Sequence, residues 1–77
     1  MSKHRLIGRI RYVEDWFGRG EHFVFETRWS DEDTWGLDVA YPIKDDKVSY
    51  EAIFKLCQWS DLGISFFRGE PELRKEG

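Results

Sequence analysis

Residues 5–13 alternate, with Leu6, Ile10 and Tyr12 on one side and Arg5, Arg9 and Arg11 on the other, the two-residue period of a half-buried strand. Gly8 falls on the apolar side, where a missing side chain admits either a bulge or a large neighbour from a facing element, such as a Trp ring. Residues 14–21 break the alternation and place Gly18 and Gly20 around Arg19, which predicts a hairpin loop longer than the two-residue minimum. A second strand follows, with Phe23, Phe25, Thr27 and Trp29 on one face and His22, Val24, Glu26 and Arg28 on the other. Residues 30–33 form a polar turn. A third strand puts Trp35, Leu37, Val39, Tyr41 and Ile43 on one face, opposite Thr34, Gly36, Asp38 and Ala40, and ends at Pro42 and the charged run 44–47. Successive strands with short connections predict an antiparallel meander.

The period then becomes helical. Ser49 is a suitable N-cap, Glu51 suits the positive first turn, and Val48 can pack on Ile53. Ala52, Ile53, Leu56 and Cys57 make the apolar stripe, and Gly63 ends the element. Trp59 and Phe67 fall off the main stripes. Residues 64–67, flanked by glycines, predict a short fourth strand, and residues 70–77 a charged, fraying tail. The order β-β-β-α-β predicts an α+β domain over residues 1–69, a three-stranded antiparallel meander with one helix on one sheet face and a short fourth strand.

A chain of 77 residues has room for one core and no second domain. Aromatics at 17% of the sequence supply large buried areas from few positions. Twelve basic residues nearly balance fifteen acidic ones, which argues against disorder driven by net charge. The lone Cys57 forms no intramolecular disulfide, and no apolar run reaches seven residues, so the expected setting is the cytoplasm, with no membrane partner. The net charge of -3 hides a polarity: residues 1–20 carry five cations against two acids, and residues 21–54 nine acids against three cations. Pairing of the first and middle strands would let these neutralise each other.

Candidate chemistry is sparse. Gly18-Arg19-Gly20 is the only phosphate-loop fragment, but it leads into a strand and Phe23 replaces the third glycine. Asp31, Asp33 and Gly36 match three offsets of a calcium loop, whereas Trp35 and Pro42 occupy positions that require oxygen ligands. His4, His22 and Cys57 are too dispersed for a zinc pattern, and Cys57 on an apolar stripe reads as a small core residue rather than a nucleophile. The carboxylates Asp45 and Asp46, like Asp31, Glu32 and Asp33, sit in turns without an apolar pocket to raise a pKa. No catalytic, cofactor or metal site is expected.

Surface recognition remains. Trp16, Phe17 and Arg19 stand in a glycine-flanked loop and are the expected anchors for a partner, with Asp31, Glu32, Asp33, Asp45 and Asp46 as steering charges. More ring surface is present than one helix on a small sheet needs to bury, which points to a larger protein, a protein–nucleic-acid complex or a second copy as the covering partner. A small acidic domain of this kind suits a regulator or inhibitor such as the accessory proteins of phages and mobile elements. The alternative is a single-strand nucleic-acid binder using Arg5, Arg9 and Arg11 with Trp16 and Phe17. The acidic isoelectric point, about 5.3, weighs against direct nucleic-acid binding.

Overall fold

The computed structural model describes residues 4–45 and 47–71. Among these residues four strands and one helix follow in the order β1 (Leu6–Val13), β2 (His22–Trp29), β3 (Gly36–Pro42), α1 (Tyr50–Asp61) and β4 (Ser65–Arg68). They form a mixed sheet in the order β3-β2-β1-β4. β1 and β2 pair antiparallel from Leu6↔Trp29 to Val13↔His22, and β2 pairs antiparallel with β3. β4 lies parallel to β1, with Ile7 opposite Ser65 and Ile10 opposite Arg68. β3 and β4 therefore run the same way at opposite edges, and the chain between them must cross the sheet. α1 makes that crossing, which is why it covers one face.

The helix begins where its cap allows. The Ser49 hydroxyl accepts from the Ala52 N–H at 3.2 Å, and Gly63 ends the element at φ +72°, a conformation that glycine adopts without Cβ strain. Its buried residues are Ala52 and Trp59. Trp59 is 2% exposed and lies directly over Gly8, where an added Cβ would meet its ring at 2.5 Å. Phe25 packs edge-on against both Trp59 and Tyr41, at 5.1 and 5.4 Å between ring centres. Trp59 Nε1 donates to Asp38 Oδ2 at 3.3 Å, and Lys55 Nζ lies 3.2 Å from the same oxygen. The polar edge of the ring is thus satisfied as its body is buried.

Three expectations are corrected. The helical stripe turns by part of a turn: Ala52 and Leu56 pack inward as expected, but Trp59 replaces Ile53 and Cys57, which are exposed. The Trp59 ring seated over Gly8 sets this rotation of α1. The third strand does not keep one apolar face. Its register shifts opposite Phe25 and Glu26, so that Phe25 pairs with Val39 but Glu26 with Leu37. This bulge sends Val39 and Tyr41 to the helix side and leaves Leu37 57% exposed on the other. Ile43 lies beyond β3, where its N–H donates to Glu21 O at 2.9 Å.

The face away from α1 is not a plain solvated surface either. Val13, Val24, His22 and Glu26 are all buried there.

Candidate interaction surface

The loop of residues 14–21 is a built structure. Asp15 Oδ1 accepts from the Gly20 N–H at 3.1 Å, Trp16 N–H donates to Gly20 O at 2.9 Å, and Arg19 N–H donates to Trp16 O at 3.0 Å. His22 Nδ1 donates to the same Gly20 carbonyl at 2.9 Å. Phe17, Gly18 and Gly20 have φ of +52°, +78° and +87°. The glycines take this conformation readily, but for a phenylalanine it is strained by about 1 kcal/mol or more. The loop separates the two anchors that the sequence groups together. Trp16 is half-buried, 6.4 Å from the His22 ring, and does not reach Gly8. Phe17 is 67% exposed, its ring held edge-on by Trp16 at 4.7 Å, and Arg19 beside it is exposed.

The steering carboxylates do not gather around this loop. Asp45 shares its end of the sheet, because Pro42 pairs with His22. Asp46 lies outside the described residues. Asp31, Glu32 and Asp33 are exposed at the opposite end, past Trp29, roughly 25 Å away by the length of an eight-residue strand. There Asp31 accepts from His4 Nδ1 at 3.1 Å, and the His4 ring stacks on Trp29 at 4.8 Å. The His4 hydrogen bond holds the Asp31 carboxyl below its ordinary value. Arg28 is turned to the backbone carbonyls of Trp29, Ser30 and Glu32.

The arginines of the alternative site are also placed. Arg9 Nε and Arg11 Nε approach the same oxygen of Glu26 at 2.6 and 2.8 Å, and Arg11 adds a second bond at 3.1 Å. Arg9 lies 4.4 Å over the Trp35 ring, with Arg28 at 4.9 Å. Burial raises the Glu26 carboxyl, but the bonds from Arg11 and Arg9 outweigh it, and the net shift is downward. The pairing of β1 with β2 therefore offsets one of the two positive charges of Arg9 and Arg11. Arg5 is exposed, its backbone tied to Ser30.

Two surfaces escaped the sequence reading. An open groove of about 440 Å³ runs between α1 and the β1–β4 edge, floored by Ile10, Tyr12 and Phe23 and walled by Leu56, Phe66 and Pro71. The outer side of α1 carries Tyr50, Ile53 and Phe54, at 88%, 48% and 69% exposure. The sequence carries a signal for the second, since residues 50, 53, 54 and 57 repeat at helical spacing, but Ile53 and Cys57 fit an inner stripe with Ala52 and Leu56 equally well.

No group of three or more His, Cys, Asp or Glu side chains among the described residues could hold a metal ion. Glu26 and Asp31 both titrate below the ordinary carboxylate range, the opposite of what a general acid requires. No helix among the described residues is long and apolar enough to cross a membrane. Comparison with protein-family models, with curated proteins and with solved structures finds no match.

Proposed function

We propose that the chain is a non-catalytic protein-interaction module, a small regulator or inhibitor of the accessory type, that binds a larger protein or protein–nucleic-acid assembly through the 14–21 loop. One observation carries this reading: Phe17 is held exposed at positive φ by a loop whose hydrogen bonds and Trp16 contact lock it there. Strain of this kind persists only where the surroundings over-determine it, and a pre-ordered aromatic loses little entropy on entering a pocket. Arg19 beside it supplies the second residue type enriched at interface centres. Asp45 adds negative charge at the same end, whereas Asp31, Glu32 and Asp33 lie several Debye lengths of about 8 Å from the loop, where their field is largely screened, and contribute little to this contact.

The test is capture from source-cell extract on immobilised protein, with and without nuclease. Phe17→Ala and Arg19→Ala each lose the captured protein, and nuclease leaves it bound. Capture that survives Phe17→Ala overturns the loop assignment. Nuclease-sensitive, salt-dependent capture lost in an Arg9→Ala/Arg11→Ala variant transfers the function to single-stranded nucleic acid.

A further inference from the structure

The outer side of α1 presents an apolar stripe that the fold leaves uncovered. At 3.6 residues per turn, Tyr50, Ile53, Phe54 and Cys57 fall within an arc of about 100°, diametrically opposite Ala52 and Trp59. All four are exposed. We infer that this face pairs with the same face of a second copy, as an antiparallel helix pair about a two-fold axis at the middle of α1.

Size and charge along the helix argue for that occupant. The stripe is bulky in its first half, at Tyr50, Ile53 and Phe54, and small in its second, at Cys57 and Ser60. Antiparallel packing about the helix centre sets Phe54 against Cys57 of the second copy, large against small, and the two-fold repeats the contact in reverse. The same register sets Tyr50 against Asp61, whose carboxylate can accept from the phenol hydroxyl. Asp61 stands at the negative end of its own helix, and the last turn has no basic residue, an arrangement that the helix dipole disfavours. Lys47 lines a recess with Lys44, Tyr50 and Glu51 at the start of α1, two cations to one carboxylate, so this end would bring net positive charge to Asp61 of the second copy and offset that repulsion. The two helix dipoles also run opposed.

The area sets the strength. An exposed aromatic side chain presents on the order of 200 Å², so Tyr50 and Phe54 together with the partly exposed Ile53 and Val48 supply roughly 450 Å² per copy. A standard interface buries about 800 Å² per partner. With the exposed Glu51, Gln58, Ser60 and Asp61 as rim, the pair falls at the small end of specific interfaces, as a reversible dimer with Kd in the micromolar range or weaker. This surface is separate from the 14–21 loop and does not depend on it.

Sedimentation equilibrium of the purified chain from about 10 µM to about 1 mM tests the inference. The expected result is a monomer–dimer equilibrium that Phe54→Asp abolishes with unchanged melting temperature and that Phe17→Ala leaves intact. Asp61→Lys weakens association about tenfold or more, and Lys47→Glu added to it restores the dimer, since charges now pair in the reversed sense. A monomer at every concentration, a dimer indifferent to Phe54→Asp, a dimer lost in Phe17→Ala, or a charge swap without recovery each overturns it. Loss of partner capture by Phe17→Ala, measured separately, reports on the loop alone.

Discussion

Under α1, the sheet is closed by shape: Trp59 fills the notch above Gly8, Phe25 meets it edge-on, and Ala52 lets the helix approach. On the opposite face, Glu26 receives two guanidinium groups, and Arg9 and Arg28 lie over Trp35. The first depends mainly on ring contacts, with the Lys55–Asp38 pair at their margin, and the second on ion pairs that both salt and pH alter. Of the aromatic residues, Phe17 in the loop and Tyr50 and Phe54 on α1 are the most exposed.

That difference can be tested by breaking each face in turn. Trp59→Ala removes the ring that seats the helix and is expected to lower the unfolding free energy by about 3–5 kcal/mol in urea titration. Glu26→Gln leaves Arg9 and Arg11 without their shared carboxylate and is expected to lower it by about 2 kcal/mol. The pH dependence separates this variant from a packing defect. The folded Glu26 carboxyl sits below its ordinary value of 4.5, so the folded state binds fewer protons. Its contribution is complete above the unfolded value and is lost as pH falls through the folded one. Wild-type stability therefore declines on acidification below about pH 4.5, and Glu26→Gln shows a shallower acid limb. Gly8→Ala, whose Cβ would lie 2.5 Å from Trp59, is expected to lower stability by about 1–3 kcal/mol through overpacking, with no change in the acid limb.

Periodicity marks the three long strands, and residue type marks the Ser49 cap, the Gly63 stop and the short aromatic strand after the helix, because each depends on local backbone preference. The space beside Gly8 was also legible as a place for a Trp ring, though not which Trp. Trp59 is 51 residues away in the chain, and only the crossing of α1 from β3 to β4 brings the two together. The face switch in β3 was hidden because a bulge inserts one residue without leaving a sequence signal at Asp38, whose bonds to Trp59 and Lys55 become visible only in the fold. The arginines on β1 read as an outward basic row because alternation specifies a face and not the residue across the ladder, and Glu26 lies directly opposite Arg9. For the candidate site, the loop was legible from its glycines, but the different fates of Trp16 and Phe17 depend on backbone angles.

The aromatic rings divide between those that hold the fold and those that face outward. The unfolding free energy of Phe17→Ala measures this division most directly. The expected value lies within about 0.5 kcal/mol of wild type, far from the loss at Trp59, whereas a loss above about 2 kcal/mol would assign Phe17 to the core and contradict the division.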